Sequence, residues 1–223
     1  MKDVSLVCFD MAGTTVRDVG EVRQCFQAAA SETGLSVPAG KLLALMGRSK
    51  RQVFDILWTE ELGADHAEVT SRIDASYAAF RRILENHYET TLIEPSNGCL
   101  ECFDWLRSGG VGFCLTTGFY RRVTDIILRR LGWEAILSIA SDEVPKGRPA
   151  PYLIHRGMAL TGAEDVRKVV TIGDTPSDLH AGRNAGCGWT VGITSGTHSR
   201  EQLAEIPNDC LIHTLAELKD LLS

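Results

Sequence analysis

What most constrains this chain is a repeated pairing of a short apolar run with a cluster of polar residues directly after it. The run over 4–9 ends in Asp10 and a Gly-Thr-Thr turn. The run over 111–116 leads into Thr117-Gly118, and the one over 136–140 into a Pro-rich loop with Lys146-Gly147-Arg148. The run over 169–172 ends in Gly173-Asp174-Thr175-Pro176-Ser177-Asp178. Runs this short, apolar at nearly every position, read as strands buried on both faces. Helical patterns over 98–106, 121–131, 151–160 and 178–185 stand between and after them. A strand over 189–192 and a last short strand and helix complete the series. Such alternation predicts an α/β fold with a doubly wound parallel sheet, in which the carboxyl ends of the strands share one edge. All four polar clusters then meet there.

The stretch over 21–90 has a different character. It is rich in Ala, Leu, Arg and Glu, with helical periodicity and almost no strand signal. Helices are expected over 21–33, 41–46, 49–61 and 65–87, with breaks over 34–40 and at Gly47 and Gly63. An α-helical domain over 17–91 is thus expected to be inserted straight after the first strand. The sheet domain would comprise 1–16 and 92–223, with hinges over 17–20 and 93–97.

The chain has 223 residues and is 44% hydrophobic, enough for a substantial core. Its formal net charge of -6 argues against a nucleic-acid or membrane partner, so any anion site must be a local concentration of donors. No apolar run approaches the ~20 residues of a membrane span. Asp10 interrupts the only stretch resembling a signal peptide, and a cytoplasmic location is expected. Of the seven cysteines, Cys99 and Cys102 form a C-x-x-C. No second pair stands at metal-ligand spacing, and the expectation is a helix placing two small residues on one face.

At the shared edge, Asp10 and Asp174 bring two carboxylates together from different strands. Buried like charges are costly unless a cation separates them, and Mg²⁺ suits an all-oxygen site. Asp178, one helical turn beyond Asp174, is placed to complete or orient the coordination. Thr117 offers a hydroxyl and nearby amides to a phosphate oxygen, and Arg148 a fork of donors.

In order along the chain, the stretch from Phe9 to Thr15, then Thr116-Thr117-Gly118, Arg148, and the stretch from Gly173 to Asp178 resemble the four motifs of the haloacid dehalogenase superfamily. The helical insertion resembles its cap domain, and the likeness covers essentially the whole chain. It implies a Rossmann-like core, Asp10 as nucleophile forming an aspartyl-phosphate, and Thr117 and Arg148 holding the phosphoryl group. It also implies Mg²⁺ bound by Asp10, the backbone carbonyl of Ala12, and Asp174, with Asp178 in support. A dimer through the cap helices is suggested by the same likeness.

Ala12 narrows the resemblance. Phosphatases of the superfamily mostly carry a second Asp there as general acid and base, a contribution of about 10²–10⁴-fold. The segment from Asp10 to Val16 is instead similar to the phosphonoacetaldehyde hydrolase branch, which cleaves a carbon–phosphorus bond. In that chemistry a cap lysine forms an imine with the substrate carbonyl, and the carbon leaves as an enamine. Met46-Gly47-Arg48-Ser49-Lys50 resembles the segment carrying that lysine, with Lys50 at its position. Met46, Gly47, Gly118 and Ala12 are then expected to line the substrate. Three positions depart from the branch: Val53 stands for a His, Phe119 for a Tyr with Tyr120 displaced by one, and Glu21 for a Cys. All belong to the aldehyde end, and they point to a related small carbonyl phosphonate. Two other functions compete: a phosphoglycolate-type phosphatase acting on a small phosphate ester, and a phosphate-binding regulatory module without turnover.

Overall fold

A computed structural model describes residues 3–223. Strand β1 (Leu6–Asp10) is followed by helices α1 (Glu21–Glu32), α2 (Ala39–Ala44), α3 (Lys50–Leu62), α4 (Val69–Thr90) and α5 (Cys99–Ser108). Then come β2 (Gly112–Thr116), α6 (Arg121–Leu131), β3 (Ser138–Ile139), α7 (Tyr152–Thr161), β4 (Val169–Gly173) and α8 (Pro176–Ala185). The chain closes with β5 (Trp189–Ile193), α9 (Arg200–Ala204), β6 (Cys210–Ile212) and α10 (Leu218–Leu222). The strands form one six-stranded sheet in the order β3-β2-β1-β4-β5-β6, with every pairing parallel. The α/β expectation is met.

The order explains where a ligand can sit. From β1 the chain moves outward to β2 and β3, then returns to lay β4, β5 and β6 on the other side. The strand order reverses between β1 and β4, and a crevice opens outside the carboxyl ends of strands at such a point. Asp10 ends β1, and Asp174 directly follows β4.

Strand pleating divides the core. Val7 and Phe9 face a large apolar cluster that includes Phe103 of α5 and Val123 of α6. Leu6 and Cys8 face the opposite way, toward Leu153 and Ile154 of α7 and Ala181 of α8. Cys8 and Cys114 are register partners with sulfurs 3.6 Å apart, and they serve as small apolar residues there. Gly157 lets α7 close onto them, since a Cβ on it would lie 2.8 Å from Cys114 Sγ. Cys99 and Cys102 are both buried in α5, and burial pushes their thiols up, as expected of packing residues.

Helices α1, α3 and α4 meet through Phe26, Phe54 and Phe80, with Phe26 and Phe80 stacked at 4.1 Å. Ser76 of α4 accepts from Trp58 Nε1 at 2.8 Å and bonds to Thr33 at 2.7 Å. Helix α4 also lies along α6: Glu85 accepts from Tyr120 and Arg122, Arg129 pairs with Glu89, and Arg130 donates to the carbonyls of Tyr88, Glu89 and Thr91. Among the described residues no helix is long and apolar enough to cross a membrane.

Some boundaries differ from expectation. Helix α8 begins at Pro176 rather than Asp178, because Thr175 caps it in a reciprocal box with Asp178 and proline suits a first helical turn. Strand β3 keeps two of the five residues expected, since only Leu115 and Thr116 face it on β2. The five-residue α9, capped by Ser199, was not expected.

Candidate active site

The turn after β1 is built on one carbonyl. Met11 accepts the amides of Thr14, Thr15 and Val16, and the Thr15 hydroxyl bonds the Asp10 carbonyl at 2.9 Å. Gly13 takes φ +89°, and a Cβ on it would run into the Asp174 carboxylate. No backbone amide among the described residues donates to the Ala12 carbonyl.

Three carboxylates converge. Ligand oxygens of Asp10, Asp174 and Asp178 all lie within 4.8 Å of one another, and all three residues are buried. Thr197 donates its amide to Asp174 Oδ2 at 2.6 Å. Thr175 donates its hydroxyl to Asp178 Oδ2 at 2.5 Å. Arg148, 3% exposed, reaches in from the loop after β3. Its Nη1 lies 2.5 Å from Asp10 Oδ1 and 2.7 Å from Asp178 Oδ1, and its Nη2 donates to the carbonyl and hydroxyl of Thr116. Asp178 Oδ1 is close to the guanidinium but off the hydrogen-bond axis, and so remains a buried acceptor without an aligned donor.

One guanidinium does not balance three buried carboxylates. Burial pushes Asp10 up to about 6 against the pull of Arg148, while Asp178 adds to the rise. Asp174 is pushed well above the carboxylate range, by burial first and then by Asp10 and Asp178. Such a cluster calls for a further cation. A hard, oxygen-loving divalent ion fits the donor set, with the unused Ala12 carbonyl beside it.

Lys50 approaches from the opposite side. It is the first residue of α3, 6% exposed, with Nζ 4.8 Å from the centroid of the Phe119 ring and 5.7 Å from that of Phe26. Burial depresses its ammonium to about 8, against the opposing pull of Asp10 and Asp18. Phe119 thus places a bare ring beneath the amine. Tyr120 points away, its hydroxyl donated to Glu85 at 2.8 Å. Val53 is buried among apolar neighbours, and Glu21 accepts from the Val19 amide at 2.6 Å.

The loop before α3 seats Lys50. Ser177 donates to the Met46 carbonyl at 3.2 Å. Gly47 takes φ +83° with Thr175 packed where a side chain would stand. Gly118 lies under the Arg48 carbonyl, so close that a Cβ would meet it at 2.6 Å. Thr117 Oγ1 accepts from the Phe119 amide at 3.1 Å, which leaves its proton to donate. Asp10, Ala12, Met46, Gly47, Lys50, Thr117, Gly118 and Arg148 all line one cavity of about 20 Å³, room for little more than a water. Asp174 and Asp178 adjoin it through Asp10, with which they form the carboxylate cluster. All ten residues singled out from the sequence therefore meet at one place.

Asp18 and Thr197 also line this cavity and were not anticipated. Asp18 is 9% exposed, accepts from the amides of Gly20 and Glu21 at 2.8 Å each, and is pushed up to about 6, chiefly by burial. An Asp-x-Gly before a helix can be read as a cap, but nothing local signals its nearness to Lys50. Thr197 follows Asp174 by 23 residues, and only the sheet brings it back. Arg121 and Arg122, adjacent to the Thr117 cluster, pair with Asp125, Glu143 and Glu85 rather than reaching the site.

Known proteins with this arrangement bear on its chemistry. Residues 4–186 match the haloacid dehalogenase-like hydrolase family. A phosphonoacetaldehyde hydrolase from Bacillus cytotoxicus is 31% identical over 211 residues, covering 87% of this chain and 77% of its own. Among solved structures, a phosphonoacetaldehyde hydrolase-like protein from Oleispira antarctica aligns with TM-score 0.80 at 17% identity, covering 99% of this chain and 91% of its own. A predicted phosphoglycolate phosphatase from Haemophilus somnus 129PT aligns with TM-score 0.80 at 17% identity over 100% of both chains. The fold is common to both chemistries and does not choose between them.

Proposed function

This chain belongs to the haloacid dehalogenase-like hydrolases, and on that premise we propose that it cleaves the carbon–phosphorus bond of a small carbonyl phosphonate. The observation that carries the reading is Lys50: a buried amine, depressed to about 8, in the same cavity as the Asp10 carboxylate. At pH 7 roughly one such amine in ten is free to attack a carbonyl. In the same cavity Ala12 offers no acid to protonate an alkoxide, so ester cleavage lacks its usual partner.

Residues 17–91 act as a cap over a core of 1–16 and 92–223. Lys50 condenses with the substrate carbonyl, releasing water and leaving an iminium ion. An Asp10 oxygen attacks phosphorus, and the electrons of the breaking P–C bond flow into the iminium to give an enamine. Protonation and hydrolysis of the enamine release the carbonyl product and return Lys50. Water then cleaves the aspartyl-phosphate. Arg148 and Thr117 hold the phosphoryl oxygens, and the Phe119 and Phe26 rings keep water from the amine. Asp10, the Ala12 carbonyl, Asp174 and Asp178 would hold Mg²⁺, which when bound supplies charge neutralisation between carboxylate and phosphoryl group. Phe119 lines the cavity beside Lys50 with no hydroxyl to offer the carbonyl, and Val53 is buried in the apolar core, which favours a substrate other than phosphonoacetaldehyde itself.

The test is phosphate release with Mg²⁺ from carbonyl phosphonates beside small phosphate esters. Release from a phosphonate should vanish in Lys50→Arg, which keeps the charge but cannot form an imine, and borohydride with substrate should label the wild-type chain. Release from esters alone, unchanged in that variant, would make the protein a phosphatase instead.

A further inference from the structure

A second and larger cavity, about 290 Å³, adjoins the first. Asp18, Met46 and Thr197 line both, so the two meet at those three side chains. It is lined as well by Arg23, on the first turn of α1, and by Ser195 and Gly196. The Arg23 guanidinium folds over Gly20, with Nη2 3.3 Å from where a Cβ on that glycine would stand. Arg23 is half-buried, and among the described residues its side chain forms no ion pair and no hydrogen bond. Asp18, the acid lining this cavity, accepts with Oδ1 from the amides of Gly20 and Glu21 instead.

A half-buried cation with no partner among the described residues, facing a cavity that opens off the candidate site, is suited to receive an anion. From this we infer that the substrate carries a carboxylate beyond its carbonyl, and that Arg23 binds it. The inference rests on the carbonyl-phosphonate reading and extends it. The phosphoryl group would lie at Asp10 and Arg148 and the carbonyl beneath Lys50. The rest of the molecule would pass between Met46 and Asp18 to the guanidinium. The substrate class is a 2-oxo acid with a phosphonate on its third carbon. The fork of Arg23 matches a planar carboxylate in two hydrogen bonds.

Calorimetry with unreactive probes tests this without requiring cleavage. With Mg²⁺ present, 3-phosphonopropionate should bind about tenfold or more tighter than propylphosphonate, the return from a charge-assisted pair. In Arg23→Gln that ratio should fall to near one. A wild-type ratio near one, or a ratio that survives in Arg23→Gln, overturns the inference. Should Arg23→Gln fail to fold, Arg23→Met, of comparable length, carries the same expectation. Phosphate release from 3-phosphonopyruvate and phosphonoacetaldehyde is measured in parallel. No release from either, with the affinity ratio intact, would sink P–C cleavage and leave the carboxylate site standing.

Discussion

At the scale of single residues, the site is a problem of unbalanced charge. Asp10, Asp174 and Asp178 outnumber Arg148 in a buried cluster, and Asp174 in particular is pushed well up. A cation binding the folded chain alone stabilises it by mass action, by about 2.7 kcal/mol at a hundredfold excess over Kd. Mg²⁺ should therefore raise the melting temperature by roughly 5–10 °C in wild type and leave Asp174→Ala unmoved, as read by scanning calorimetry. An equal rise in both would place the ion elsewhere. In the proposed reaction Lys50 would supply the pH dependence. Its folded value of about 8 is depressed, so the free amine grows as pH rises through 8. Borohydride trapping at limiting substrate should accelerate from pH 7 to 9, and a rate flat over that window would mean the amine is not the attacking group.

At the scale of elements, the parallel strands and their order of chemistry could be read directly, because runs such as 4–9 and 169–172 are short, almost wholly apolar and alternate with helical patterns. The carboxylate cluster was legible for the same reason: Asp10 and Asp174 each follow such a run. The burial of Lys50 was not legible, since it depends on Phe26 of α1 and Phe119 after β2 closing around α3. Asp18 escaped because its proximity to that lysine is a tertiary fact, and α9 because five residues carry too little periodicity. Helix packing offers its own test. Gly157 brings α7 against Cys114, so Gly157→Ala should cost about 1–3 kcal/mol by overpacking, measured by urea unfolding. The same unfolding midpoint as wild type would mean α7 has room to shift.

At the scale of the whole molecule, the two groups proposed to react come from different parts of the fold. Asp10 belongs to the sheet, Lys50 to the helices between β1 and β2, and the cavity between them holds about 20 Å³. For the proposed reaction a small phosphonate is larger than that volume, so the loop carrying Met46 and Gly47 would have to lift from Ser177 and Gly118 to admit it. A Cβ on Gly147 would stand 3.1 Å from Ser49 Cβ, near the range that a disulfide spans. The double variant Ser49→Cys, Gly147→Cys should lose turnover on oxidation and regain it with dithiothreitol. Full activity in the oxidised protein would show that substrate reaches Asp10 without that loop moving.

The parallel sheet also sets a direction of tolerance. Every polar cluster of the site hangs from the carboxyl ends of strands, whereas the other rim of the sheet shows Asp3 and Ser5 exposed and a surface ion pair between Asp3 and Lys168. A library of random substitutions should therefore read as a gradient along the strands. Changes at the amino rim would pass nearly unnoticed, those mid-strand would alter yield of folded protein, and those at the carboxyl rim would leave a sound scaffold with nothing to do. Such a molecule can drift at one end while exploring new substrates at the other, and neither search disturbs the six strands between them.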